Sequence, residues 1–462
     1  MIDCGTIPMP NSFSRINFFM DKYPDIGGAC GEIEVMLPST NEDGSPISFV
    51  KSALLRSQYV EYKLSHYVDK ASESLFGFVS VLPGAFSCFR WKAIKDEPLN
   101  RFLKGQVLTD PNNLSYPICS VANQYLAEDR IMCLEIIAKE YEKFILKYVP
   151  GCKALTDAPS SLSQFLKQRR RWFNGSMFAS FHVMQNMCRT WKRDDSFFRN
   201  VFFMILYIYM LTNAILSFVL VGLYYASFSI FLRSVLPNNN CISVTDAANV
   251  LENLYLIILY FCFIICTSVR IEWAETYFRI ISVIMGFFSI LMFTTLIVGI
   301  ILGDIQGISL IFILVLVLVI IIPLILHLPQ LKLFDFIKGG AVYLFLTPTY
   351  INIITLFSVS NIHDVTWGSR PQGADITVST LKKMNMTNDY QDFRSRFLVI
   401  WMIVNIMAGS SVVYFSRGGQ ELYLAIITGI LAIVIGLKFL LSLLHVGQAY
   451  FLSWRVDRYL KQ

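Results

Sequence analysis

The chain divides by hydropathy. Residues 1–198 mix apolar and polar positions as soluble sequence does, and most of the remainder consists of long apolar runs. A bilayer-spanning helix needs roughly 20 mostly apolar residues. Stretches at about 200–222, 250–269, 280–302, 308–328, 397–416 and 421–444 meet that requirement, which predicts six spans. A further apolar stretch, 339–358, carries Pro348 and several polar residues, and is predicted to be interfacial or re-entrant. The loop 223–249 has only Arg233, whereas 329–396 holds Lys332, Lys338, Arg370, Lys382, Lys383, Arg394 and Arg396. Basic loops stay on the cytoplasmic side, so both chain ends are expected there. Lys438 lies near enough to the cytoplasmic end of the last span to snorkel.

In the soluble part, Leu75–Ala85 reads as a strand ending in a Pro-Gly turn. Ile26–Ile33 sets three glycines in an apolar run, which allows close backbone approach to a ligand. Ser160 or Ser161 is a cap for a helix running through Gln164 to Phe173. Phe178, Phe181, Met184, Met187 and Trp191 then recur at helical spacing beside Lys192 and Arg193, the pattern of an amphipathic helix lying in the membrane interface. Three regions are therefore expected: an α/β catalytic part over 1–159, interfacial helices over 160–198, and an all-α membrane domain over 199–462.

Composition sharpens this division. Of 462 residues, 55% are hydrophobic and 16% charged, with mean hydropathy +0.52. A soluble domain has roughly 25% charged residues. The net charge of +6 is concentrated near the spans. This suits an anionic leaflet or ligand, and there is no aromatic–basic interleaving to suggest nucleic acid. Ten cysteines at irregular spacing lack metal-finger patterns and are expected to be reduced thiols. The sequence opens without a signal-peptide pattern, so the first span is expected to direct insertion.

Four places can carry chemistry. Glu128-Asp129-Arg130 offers a carboxylate base, Asp129, with Arg130 to orient it or to hold Glu128. Acids at a helix start need no such role. Gln168-Arg169-Arg170-Arg171-Trp172 sets guanidiniums, which fork onto phosphates, beside an aromatic plane that stacks on a sugar. Three consecutive arginines fan around a helix, so they cannot all face one ligand, and a basic stop before the membrane is the plain alternative. Asp3, beside Gly5, suits a divalent cation bridging a diphosphate. Thr366-Trp367-Gly368-Ser369-Arg370 suits a loop closing on a site, or an interfacial Trp anchor, and His363-Asp364 has no nucleophilic partner.

In this order the motifs resemble the chitin synthases, membrane-embedded processive family 2 glycosyltransferases. The matching stretches are Ile2–Pro8, Gly27–Ile33, Gln58–Lys63, Val81–Arg90, Leu126–Arg130, Gln168–Gly175 and Leu346–Ser369. The resemblance implies a GT-A-like catalytic domain, of which residues 1–159 are expected to be the C-terminal part. It implies transfer of N-acetylglucosamine from UDP-N-acetylglucosamine to a growing β-1,4-chitin oligomer, with inversion and a divalent metal, Mg or Mn. Export of the polymer would run through a channel beside 339–370. Asp3 matches the metal- and nucleotide-binding aspartate, and Asp129 the general base. Gln168, Arg169, Arg170, Arg171 and Trp172 match the signature gripping diphosphate and acceptor, next to Glu128 and Arg130. Pro83, Gly84 and Ala85 match part of the acceptor loop, and Trp367 matches the Trp near the channel entrance. The usual Ser-Trp-Gly-Thr is here Thr366-Trp367-Gly368-Ser369, which keeps both hydroxyls. The expected setting is a multi-pass protein of the plasma or secretory-vesicle membrane, in contact with lipid, with a homo-oligomer compatible. The alternatives are a truncated, non-catalytic relative and a processive synthase of hyaluronan or cellulose.

The topology makes a prediction about the sequons at Asn113, Asn174 and Asn385. All three face the cytoplasm and should stay unglycosylated in a mobility-shift assay. Modification at Asn385 would overturn the six-span arrangement.

Overall fold

A computed structural model describes residues 1–41, 43–107, 117–139, 142–191, 197–236, 242–301, 332–366, 380–413 and 417–459. The soluble part is a mixed four-stranded sheet among helices. Its strands are β1 (Thr6–Pro8), β2 (Ile26–Val35), β3 (Ser87–Phe89) and β4 (Ile145–Thr156), in spatial order β1-β4-β2-β3. β2 and β4 run parallel, with Ile33 opposite Ala154, while β1 and β3 are antiparallel edge strands. Every residue of β2 is buried, as expected for a central strand covered on both faces.

Three glycines make that burial possible. A Cβ at Gly27 would lie 2.8 Å from the Cβ of Phe144, and one at Gly31 would lie 2.6 Å from the Cys152 carbonyl oxygen. Close approach is therefore the reason for glycine here, but it is approach by neighbouring strands and helices and not by a ligand.

β2 also carries the main buried ion network. α2 (Phe49–Leu64) runs beside it and places the fully buried Lys63 ammonium between Glu32 and Glu34, 2.7 Å from Glu34 Oε2. Lys153 on β4 lies 3.1 Å from the other Glu32 oxygen, and the Tyr67 hydroxyl donates to Glu32 at 2.9 Å. Burial pushes the Glu32 carboxyl up, but Lys63 and Lys153 outweigh it and hold the group at about 2.

A π-helical turn, Ser65–Lys70, follows α2 and leads into α3 (Ala71–Phe76). The predicted strand over Leu75–Ala85 is absent. Leu75 and Phe76 close α3, Gly77 at φ 73° ends it, and Phe78, Val79 and Leu82 are buried in an irregular segment before β3. Phe78, Val79 and Leu82 fill a core without pairing into a ladder, so an apolar run alone was a poor guide. After β3 come α4 (Trp91–Ile94), α5 (Glu97–Val107), α6 (Cys119–Gln124), a 3-10 turn (Tyr125–Ala127) and α7 (Glu128–Ile137).

Beyond β4, α8 (Leu162–Gln185) starts at Ser161, whose hydroxyl accepts the Gln164 N–H at 3.3 Å. α9 (Met187–Trp191) follows. Part of the predicted interfacial stripe faces protein, since the Phe178 ring lies 6.2 Å from those of Phe393 and Phe397. Next come α10 (Phe197–Val235), α11 (Ile242–Ser268), α12 (Ile271–Ile301), α13 (Leu333–Phe345), a second π-helical turn (Thr349–Ile353), α14 (Ile354–Ser360), α15 (Thr380–Val413) and α16 (Arg417–Tyr459).

Among the described residues three helices are long and apolar enough to cross a membrane: Phe197–Arg233, Ala247–Ser268 and Ile271–Gly299. The pair Leu333–Phe345 and Thr349–Ser360, bent by 60°, makes a fourth if it counts as one broken span. The predicted span at 308–328 lies outside the described residues. α13 lies against α2, with Gly339 2.6 Å from the Arg56 carbonyl oxygen as measured from its would-be Cβ, so this stretch packs on the soluble part.

Lys438 does not snorkel. It pairs with Asp69 of the π-helical turn, which draws that part of α16 onto the soluble part. In the apolar bundle, Asn405 of α15 inserts into α10. Its amide donates to the Phe218 carbonyl at 2.9 Å, and its oxygen accepts the Gly222 N–H at 2.9 Å. An undisturbed helix would pair those two backbone groups with each other.

The buried network yields a prediction. Lys63→Met removes the buried ammonium shared by two carboxylates, leaving Glu32 with Lys153 and Glu34 with Lys332, and should cost about 3–5 kcal/mol, read as a lower Tm in detergent. Glu32 is depressed in the folded state, so its contribution is complete above the ordinary carboxylate range. It should fade as pH falls towards about 2, which the same melts across pH would measure.

Candidate active site

The helix that organises the site is α8, and its neighbours sort the residues of the Gln168–Trp172 motif. Arg169 and Arg170 are buried. Arg169 donates to Glu61 of α2 at 2.6 Å, and its guanidinium lies 4.2 Å from the Trp172 ring centroid. Arg170, 2% exposed, pairs with Asp364 and donates to the Thr366 carbonyl at 2.7 Å. These contacts take only part of each guanidinium: Arg169 Nε and Nη1 and Arg170 Nε have no hydrogen-bond partner among the described residues. Gln168 is half-buried, and its carbonyl oxygen has no hydrogen-bond partner among the described residues. Arg171 is half-buried, and Trp172, at 37% exposed, reaches the surface beside Tyr62, with ring centroids 6.1 Å apart.

The same helix seats the carboxylate. Gly175 lies against the turn before α7, where an added Cβ would sit 3.0 Å from Ala127 Cβ and 3.1 Å from Ala127 N. α7 begins at Glu128, so Glu128 and Asp129 occupy its first turn, where the helix dipole favours negative charge. Asp129 Oδ1 accepts the Arg130 N–H at 2.9 Å. Burial raises the Asp129 carboxyl, against the pull of Arg130, Lys70 and Arg171. Lys70 from the π-helical turn and Arg171 from α8 therefore lie near enough for their charge to act on Asp129. Lys70 was not anticipated from the sequence, since a lone lysine in an unmarked segment carries no signal until the fold brings it in.

A cleft of about 290 Å³ opens beside this cluster. Its lining includes Lys70, Arg130, Ser176, Ser180, Asn213 and Ser217. It thus runs from the charged cluster along α8 onto the first apolar helix, α10. The expected channel beside 339–370 has a different setting: α14 there is wholly buried against its neighbours.

At the other end of the site, Asp3 precedes β1. Its N–H donates to the Ala85 carbonyl at 3.3 Å, and Phe86 N–H closes a turn on Pro83 at 3.2 Å. Pro83, Gly84 and Ala85 therefore sit beside Asp3, while Leu82 N–H reaches Cys133 of α7 at 3.2 Å. Gly5, at φ 87°, has Asp157 Oδ1 2.7 Å from where a Cβ would stand. Asp157 was missed in the sequence, and its placement follows from the pairing of Thr6 with Thr156. The Asp157 carboxylate thus lies against Gly5, two residues after Asp3 in the chain. Among the described residues no three or more His, Cys, Asp or Glu side chains converge as a metal cage. The arrangement fits a cation that takes one or two carboxylates and draws its remaining oxygens from phosphates.

The end of the bent apolar segment is fastened to the same framework. Asn174 donates to the Ser358 carbonyl at 2.9 Å, and Asn123 of α6 donates to the Ile362 carbonyl at 2.8 Å. Asp364 accepts the Thr366 N–H at 3.0 Å as well as pairing with Arg170, so it is not half of a His–Asp dyad. Trp367 lies outside the described residues.

Residues 1–187 match a chitin synthase-like glycosyltransferase domain. The chain is 32% identical over 392 residues to chitin synthase C of Aspergillus oryzae, covering 80% of this chain and 41% of that protein. It is 30% identical over 408 residues to chitin synthase 1 of Saccharomyces cerevisiae, covering 84% and 34%. It is 31% identical over 395 residues to chitin synthase A of Ampelomyces quisqualis, covering 80% and 42%. The matched region is thus well under half the length of these relatives.

The seating of α7 on α8 can be tested directly. Gly175→Ala adds a methyl against backbone and should destabilise by about 1–3 kcal/mol, measured as a fall in Tm. Ser176→Ala, next to it on the half-buried face, should not.

Proposed function

Since the chain belongs to the chitin synthase family, we propose that it transfers N-acetylglucosamine from its UDP donor to the 4-hydroxyl of a chitin oligomer. The observation carrying this reading is the convergence on one helix. α8 exposes Trp172, brings Arg171 to Asp129, and seats the turn that presents Asp129 beside a polar-lined cleft.

The chemistry asked of these residues is a single displacement. Asp129 accepts the proton of the acceptor hydroxyl as that oxygen bonds to the anomeric carbon. The bond from that carbon to the UDP oxygen breaks with inversion, and the electron pair leaves on the diphosphate. Arg171 sits where positive charge meets that anion, at the exposed end of the signature. Trp172, with Tyr62 beside it, offers an aromatic face to a sugar ring. Asp3 and Asp157 would hold a divalent cation, Mg or Mn, which neutralises diphosphate charge when bound. Pro83–Ala85 borders that position, as an acceptor loop would. The polymer would leave along the cleft, past Ser176, Ser180, Asn213 and Ser217 of α8 and α10, hydroxyls and an amide suited to a sugar chain.

A base must be ionised to work, and burial raises the Asp129 carboxyl. Activity should therefore fall with decreasing pH above the ordinary aspartate range, as Asp129 takes up a proton. Membranes expressing the chain should incorporate labelled N-acetylglucosamine into chitinase-sensitive polymer. Asp129→Asn should cut turnover by about 10²–10⁴-fold. Near-normal synthesis by that variant would remove Asp129 from the role.

A further inference from the structure

Four charged side chains line the cleft: Asp69, Lys70, Glu73 and Arg130. The two acids are engaged. Glu73 accepts the Ser80 N–H at 2.7 Å and the Ser80 hydroxyl at 2.9 Å. Asp69 is paired with Lys438, whose ammonium also lies 4.4 Å from the Tyr209 ring centroid. The two cations are in a different state. Among the described residues neither Lys70 nor Arg130 makes a side-chain hydrogen bond or an ion pair, although Lys70 is only 6% exposed. Both act on the Asp129 carboxylate without pairing with it directly, and a buried ammonium with no direct partner is unfavourable unless an anion or water completes it.

What keeps Asp69 from completing it is α16. Lys438, Ser442 and His445 recur along one face of that helix. Lys438 takes the Asp69 carboxylate, the Ser442 hydroxyl donates to the Val68 carbonyl at 3.0 Å, and the His445 ring lies 5.7 Å from that of Tyr148 on β4. Two adjacent residues of the π-helical turn are therefore held from outside, and the next residue is Lys70. Such turns, wider than an α-helix, occur often at functional sites. Asp69 neighbours Lys70 in sequence and shares the cleft with Arg130, so without Lys438 those two cations are its natural partners.

We propose that Lys438 is a positioning residue of the transfer reaction: by holding Asp69, it keeps Lys70 and Arg130 available to an anionic group entering the cleft. The group is a diphosphate, the chemistry shared by a nucleotide-sugar donor and the nucleotide it releases. The proposal rests on the cleft being part of the transferase site.

The test measures calorimetric affinity of the full chain in detergent for inorganic diphosphate. Lys438→Met frees Asp69 to turn inward and should weaken binding about tenfold. Asp69→Asn alone should bind at least as tightly as the unaltered chain. The double variant, Lys438→Met with Asp69→Asn, should recover most of what Lys438→Met loses, and Lys438→Arg should keep most of the affinity. A merely structural Lys438 would leave the double variant as weak as Lys438→Met or weaker, which would sink the proposal. So would unchanged affinity in Lys438→Met, or an unaltered chain that does not bind diphosphate. The reading of Asp129 fails by a separate result, normal polymer synthesis by Asp129→Asn, which leaves the diphosphate series standing.

Discussion

Two guanidiniums buried side by side on one helix need counter-charges, because an uncompensated charge in the interior costs more than most folds can bear. Arg169 and Arg170 obtain theirs from different directions, Glu61 on α2 and Asp364 after α14. That requirement ties together three parts far apart in sequence: the helix beside the sheet, the signature helix, and the end of the bent apolar segment. With those two arginines turned inward, Trp172, one helical turn after Arg169, stacks on its guanidinium at the protein surface.

The sequence was most informative where a residue's chemistry is local. Ser161 caps α8 because a hydroxyl before a helix can accept a free N–H, and that pattern is written in a few adjacent residues. The fanning of the arginines was likewise legible from helical geometry alone. The limits were tertiary. Glycines in β2 read as a place for a ligand, but Phe144 and the Cys152 carbonyl fill that space. The run Leu75–Ala85 read as a strand, yet its apolar side chains are shared between a helix end and an irregular buried segment.

Lys70 and Asp157 show the same limit within the site. Nothing near either residue in the chain marks it. Lys70 matters because a π-helical turn directs it to the cleft, and Asp157 because strand pairing sets it against Gly5. Asp3, Asp129 and the Gln168–Trp172 run were visible because each sits in a distinctive local pattern. Which arginine faces outward was decided by partners 108 and 196 residues away. The apolar runs also overstated what hydropathy can say about Lys438, since a cation near a helix end looks like a snorkelling residue until its carboxylate is found.

Asn405 has a mechanical meaning for α10. Its amide stands between the Phe218 carbonyl and the Gly222 N–H, one residue past Ser217 at the end of the cleft. These two bonds fasten α15 to the backbone of α10 in the middle of a continuous helix, and glycine at 222 lets the Asn405 backbone close on it.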